Sequence, residues 1–216
     1  MNKKALKAPR SSANKFDSSD YDRLGLERLI FFSDAVFAIA ITLLALEIRL
    51  PAGGKSLNDD QLFAQLLGLW PSYLAYFISF TVIGVFWISH HRKFRFIKRY
   101  DSRLLMLNLF ILMVVAFIPF PSSVISENPN RTATIFYALT MSLVGLLLAV
   151  MWWYASWHSR LIDSSLDAKQ SRIQFIGPLS MALIFLLSIG VAFLNADTAK
   201  FSWLLILFAT IYAHKN

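Results

Sequence analysis

Cysteine is absent from the 216-residue chain, which excludes a disulfide framework and thiolate chemistry and leaves the redox compartment open. Charge is scarce as well. Asp, Glu, Lys and Arg make up 16% of the residues, against about 25% in ordinary soluble domains. Hydrophobic residues reach 56% and the mean hydropathy is +0.54, the composition of a polytopic membrane protein. The four histidines (His90, His91, His158, His214) form no histidine box. Paired carboxylates and a Ser/His/Asp arrangement within one compartment are missing too, so no enzymatic chemistry is expected and no cofactor or resident metal is implied. The first 28 residues lack an apolar core; a cleavable signal peptide is not expected, and the first span serves as its own insertion signal. The formal charge of +8 sits on residues flanking apolar runs, which membrane topology explains better than nucleic acid.

What remains is a set of six apolar segments: Leu29–Ile48, Leu62–Ser89, Leu104–Val124, Thr132–Trp157, Ile173–Leu194 and Phe201–Ala213. The second opens at Trp70-Pro71 or slightly earlier, and Pro119 and Pro121 end or kink the third. The last has only 13 residues, about 20 Å of helix, short of a roughly 30 Å hydrocarbon core. The expected architecture is all-α, with residues 1–27 a basic tail and residues 28–216 a six-helix transmembrane domain. Seventeen of the lysines and arginines fall on one side of this topology and four on the other, so both termini are expected in the cytoplasm. Trp152, Trp153 and Trp157 then read as an interfacial belt at the end of the fourth span.

The first segment, with its lead-in, reads RLIFFSDAVFAIAITLLALEI. On a helix advancing about 100° per residue, Ile39, Thr42, Leu43 and Leu46 share one face with small Ala35 one turn earlier. Ser33 and Asp34 lie roughly 120° and 140° from that stripe, on opposite sides. Asp34 is the acidic residue set well inside a span, and such an acid needs a hydrogen-bond donor. Trp87 and His91, in FWISHHRKF at the end of the second segment, are four residues apart and carry ring N–H donors. They are candidate partners of Ser33 and Asp34, although His90 and His91 also suit an interfacial basic loop. Glu47 near the outer end either concentrates cations or pairs with Arg49.

Arg28-x-x-x-Phe32-Ser33-Asp34, followed by AVFAIAITLLALEI, resembles the signature first helix of the transmembrane protein 175 family of potassium channels, and WISHHRKF resembles that family's Trp-x-x-x-His element. The resemblance implies a homotetramer in the bilayer, with the four first helices lining a central pore and no TVGYG filter. It implies a hydrophobic constriction at Ile39, Leu43 and Leu46, a hydroxyl layer at Thr42 linked to selectivity, and permeant potassium ions as the only bound species. Arg28, Phe32, Ser33, Asp34, Trp87 and His91 would hold the pore helix in place. Ala35 departs from the glycine more often expected there. A single-copy chain of this kind implies a prokaryotic plasma membrane. The physical reading agrees in two respects. One copy of a helix cannot enclose a pore, so several subunits are needed and closed symmetry is the usual solution, and a ring of branched apolar side chains can close a pore by dewetting. The rival reading is a proton-coupled transporter with Asp34 and His91 as a relay, though the chain shows no inverted repeat around a midplane site.

Overall fold

The computed structural model describes residues 18–51, 56–163 and 166–203. It is all-helical, and among the described residues the one β-bridge is isolated, pairing Ile97 with Ile162. Helix α1 spans Ser18–Leu46, so it starts well ahead of Arg28 and takes up part of the stretch expected to be tail. An apolar run marks where a helix crosses lipid, not where the helix begins. Gly25 allows this extension: a Cβ there would collide with the Tyr100 ring, so the absent side chain lets the helix pass close to that turn.

Helix α2 (Asp59–Gly68) opens on a capping box, with the Asn58 carboxamide accepting from the Gln61 amide at 2.8 Å and Gln61 reaching back to the Asn58 amide at 3.2 Å. Helix α3 (Trp70–Phe96) carries Pro71 in its first turn, where a missing N–H costs nothing. The uncharged second segment is therefore two helices, and the membrane crossing begins at Trp70. It also runs on past Ser89 through Arg92, Lys93 and Arg95. Lys93 is buried, with Nζ donating to Ser89 Oγ at 2.8 Å.

Helix α4 (Ser102–Phe117) is capped by Asp101, whose carboxylate accepts from the Leu104 amide at 2.9 Å. Helix α5 (Pro119–Glu127) follows after a kink at Ile118. Pro119 and Pro121 cause it, since proline lacks the N–H that would continue the ladder. Helix α6 (Arg131–Ser156) is capped by Asn130, which accepts from the Ala133 amide at 3.0 Å. Helix α7 (Ala168–Leu194) has Pro178 buried in its interior, and α8 (Ala196–Ser202) is short.

Five stretches are long and apolar enough to cross a membrane: Arg23–Leu46, Trp70–Phe96, Ser102–Glu127, Arg131–Ser159 and Ala168–Leu194. The chain is a multi-pass membrane protein. Of the expected sixth span, Phe201–Trp203 is described and the remainder lies outside the described residues. Trp203 turns back on the bundle, stacking on Tyr137 with ring centroids 4.8 Å apart and donating from Nε1 to Ser188 Oγ at 2.8 Å.

Helix α6 is the centre of the bundle, with Tyr137, Met141, Val144, Leu148, Met151 and Trp152 buried. It packs tightly on α7 at Gly145. A Cβ there would sit 2.8 Å from the Pro178 carbonyl oxygen and 3.0 Å from Ala182 Cβ, the small-residue contact that lets membrane helices touch backbone to backbone. In the half of the bundle away from the basic loops, Ser79 Oγ lies 2.8 Å from Ser122 Oγ and 3.0 Å from the Tyr137 hydroxyl, joining α3, α5 and α6.

Candidate functional site: the first helix and its anchor

Helix α1 meets α3, α4 and α5 along one face only. That face buries Leu26, Leu29, Ser33, Phe37, Ala40 and Leu44, residues three to four apart and therefore one stripe. The opposite stripe is open in the single chain: Ile39 is 57% exposed, Leu43 38% and Leu46 62%, with Thr42 and Ala35 exposed between them. Thr42 Oγ1 donates to the Ile39 carbonyl at 2.8 Å. Its proton is thus committed to the backbone, leaving the hydroxyl oxygen available as an acceptor on the exposed face.

The Phe-Ser-Asp motif divides between the two faces. Phe32 is 53% exposed and lies on the Ile39 side with exposed Arg28. Ser33 and Asp34 turn toward neighbouring helices. Trp87 Nε1 donates to Asp34 Oδ1 at 2.8 Å, from α3 to α1, supplying the donor that an acid at this depth needs. His91 lies against Trp87 with ring centroids 5.6 Å apart.

Ser33 takes a different partner from those its spacing suggested. The buried His90 ring donates from Nε2 to Asn108 Oδ1 at 2.7 Å. Asn108 Nδ2 donates to Ser33 Oγ at 3.0 Å, and Ser33 Oγ donates to the Leu29 carbonyl at 2.8 Å. Each group in this chain gives one proton to the next, so α3, α4 and α1 are joined by a run of hydrogen bonds with consistent direction. Phe37 and Phe94 flank the imidazole, with ring centroids 5.4 and 4.6 Å away. His90 and Asn108 were missed as anchor residues. Asn108 was available as a signal, being a carboxamide inside the apolar run LLMLNLFILM, because a polar group in such a run must find a partner. His90 had no comparable signal, since its neighbour His91 fitted the expected face equally well.

On the basic side of the bundle a second constellation ties the loops together. Asp101 accepts from the Tyr154 hydroxyl at 2.5 Å and lies 3.5 Å from Arg160 Nη2. Partial burial pushes its carboxyl up, but the Tyr154 hydroxyl, the Leu104 amide and the Arg160 charge together hold it below the ordinary value of 3.8. The adjoining turn runs through His158 and Ser159, with φ of 51° and 50°, and returns the chain so that the Lys98 amide donates to the Leu161 carbonyl at 2.8 Å.

At the C-terminal end of α1, Arg49 Nε donates to the Leu46 carbonyl at 3.0 Å, closing the helix. Glu47 lines a cleft of about 420 Å³ with Leu43, Leu46 and Phe117. Among the described residues no group of three or more His, Asp or Glu is placed to hold a metal ion.

The sequence profile of the family described as endosomal/lysosomal potassium channel TMEM175 matches residues 28–119, the stretch holding α1 from Arg28 onward, the Trp87–His91 segment and Asn108. A potassium channel of Streptomyces collinus is 38% identical over 174 residues, covering 78% of this chain and 83% of that protein. The endosomal/lysosomal proton channel TMEM175 of Danio rerio is 34% identical over 143 residues, covering 64% of this chain and 28% of the longer fish protein. The crystal structure of a lysosomal potassium-selective channel TMEM175 homolog from Chamaesiphon minutus superposes with a TM-score of 0.77 at 29% identity, covering 88% of this chain and 98% of that one. With its fold shared and its sequence retained along most of a bacterial potassium channel, the chain belongs to the TMEM175 family of ion channels.

Proposed function

We propose that this protein is a potassium-selective leak channel in which four copies bring α1 to a common axis. Ile39, Leu43 and Leu46 form the hydrophobic constriction and Thr42 contributes an oxygen layer. The observation that carries the reading is the two-sided character of α1. One face is anchored through Ser33 and Asp34, while Ile39, Leu43 and Leu46 leave an apolar stripe uncovered on the other.

Rings of such side chains keep a narrow pore dry, because an ion cannot shed water there without replacement ligands. Opening then requires the four helices to rotate or separate. Thr42, with its proton turned to the backbone, supplies the kind of oxygen that coordinates a cation. The basic flanks orient the subunit with its termini in the cytoplasm, and the plasma membrane of a prokaryote is the setting proposed. In this reading Asp34 is scaffold, since its carboxylate is engaged by Trp87, and a proton relay through Asp34 and His91 is the less supported alternative.

The test is flux through purified protein in liposomes, with potassium, sodium and proton gradients imposed separately. Potassium flux should persist when the pH gradient is collapsed, and Ile39→Asn should raise the leak and lower the potassium-over-sodium ratio. Unchanged flux and selectivity in Ile39→Asn would remove α1 from the pore. Flux that stops with the proton gradient would favour the carrier.

A further inference from the structure

Away from α1, a cleft of about 260 Å³ opens between the end of α3 and the start of α7, on the side that carries the basic loops. Arg92, Arg95 and Phe96 line it from α3, and Gln170, Ile173 and Gln174 from α7. Each set falls at positions i, i+3 and i+4 and so presents one helical face. The lining combines two guanidinium groups with two carboxamides, and guanidinium is the cation whose planar fork matches a phosphate. The volume equals that of about nine liquid waters at ~30 Å³ each, room for a phosphate-bearing headgroup.

Two further features bear on what enters. Below the cleft, α7 continues with Ile173, Ile176, Leu183 and Leu187, all exposed and three to four residues apart or a multiple of that. This apolar stripe leads from the polar cleft along the membrane-spanning part of the helix. Asp163 and Asp167, the acidic residues of the loop entering α7, do not line the cleft.

We propose that this α3–α7 cleft binds the phosphate headgroup of an anionic lipid in the leaflet on the basic side, with Arg92 and Arg95 on the phosphate, Gln170 and Gln174 donating to its ester or glycerol oxygens, and an acyl chain lying along Ile173 and Ile176. A basic pocket between transmembrane helices at the headgroup level is the arrangement that selects anionic over zwitterionic lipid. A soluble phosphate would satisfy the arginines but would have no use for the apolar stripe.

The test uses the full-length channel in nanodiscs of phosphatidylcholine with increasing phosphatidylglycerol. Lipid retained through purification is counted by native mass spectrometry, and melting temperature is followed in parallel. The wild type should retain phosphatidylglycerol in preference to phosphatidylcholine. Arg92→Gln/Arg95→Gln should lower that preference by roughly 30-fold, from the worth of two basic residues at an anionic surface. Arg103→Gln, which removes one exposed charge on the same side, should leave it within twofold, and Arg92→Lys/Arg95→Lys should restore part of it.

Equal preference in wild type and the double glutamine variant, or an equal loss in Arg103→Gln, would overturn the proposal. In discs of phosphatidylcholine alone, inorganic phosphate should not raise the melting temperature. A phosphate-dependent rise abolished by the double variant would assign the cleft to a soluble anion and overturn the lipid reading.

Discussion

Replacing Asn108 by leucine keeps the γ-branched shape of the side chain and deletes both hydrogen bonds that join α4 to α3 and α1. His90 Nε2 loses its acceptor, Asn108 Oδ1 at 2.7 Å, inside a fully buried site. Ser33 loses the donor at 3.0 Å but keeps its own bond to the Leu29 carbonyl. The two losses are unequal. An orphaned buried N–H costs about 1–3 kcal/mol, whereas an interhelical hydrogen bond in a membrane protein averages only about 0.6 kcal/mol. The His90 side therefore dominates, and Asn108→Leu should cost about 2–3 kcal/mol in all. For a chain of this size, at about 2–4 °C per kcal/mol, the melting temperature should fall by roughly 5–10 °C.

The second half of the experiment is His90→Phe. Alone it leaves the Asn108 carbonyl oxygen without a donor and should also destabilise. Combined with Asn108→Leu it removes both polar partners at once, and the new ring would sit between Phe37 and Phe94, which already flank position 90. Replacing both partners by apolar groups of similar shape is close to neutral, so the double variant should melt above either single one, a favourable coupling of about 1–3 kcal/mol. Intrinsic tryptophan fluorescence during thermal unfolding in detergent would report it. If Asn108→Leu melts within 1 °C of wild type, or if the two losses simply add, the chain of hydrogen bonds does not hold these helices together.

Trp87→Phe removes the donor to Asp34 while keeping a ring, and should lower tetramer yield on size exclusion without changing the potassium-over-sodium ratio; Asp34→Ala should do the same more severely, and an altered ratio would put Asp34 in the ion path. Gly145→Ala drives a Cβ toward the Pro178 carbonyl; the overpacking, about 1–3 kcal/mol, outweighs the roughly 1 kcal/mol gained in helix propensity, so its melting temperature should fall, and a rise would show that α6 and α7 are looser than described. The Asp101 carboxyl is held below its ordinary value of 3.8 in the folded chain, so its contribution is complete above that value and is lost as pH falls through the lower folded one. Asp101→Asn should therefore lower the melting temperature at neutral pH, and the gap to wild type should close as pH falls below 3.8; a gap that stays constant would remove the carboxylate from the Tyr154–Arg160 contact.

Much of this molecule is readable without coordinates, for a definite reason. In hydrocarbon every backbone group must be satisfied within its own segment, so an uninterrupted apolar run is a helix, and five such runs became the five spans. The two-sided character of α1 follows from the 3.6-residue repeat alone, which already separates Ile39, Thr42, Leu43 and Leu46 from Ser33 and Asp34. Element ends were less legible, because hydropathy does not register a break between two apolar helices. The turn at Leu69 is marked only by Trp70-Pro71, and the extension of α3 to Phe96 carries a lysine into the buried bundle.

Partner choice was decided by tertiary structure. Trp87 was recognisable as a donor for Asp34, because one acid and one ring N–H at the same depth leave few alternatives. His90 and His91 are adjacent in sequence and differ by about 100° around the helix. Which of them meets the anchor depends on where α4 sets Asn108, 18 residues further on, and on α1 setting Ser33 75 residues before that. Periodicity assigns a residue to a face of its own helix. The neighbouring helix that meets this face, and at what height, is set by how the side chains of all the helices pack together, so the buried chain from His90 to Leu29 and the cleft between α3 and α7 exist only in the assembled bundle.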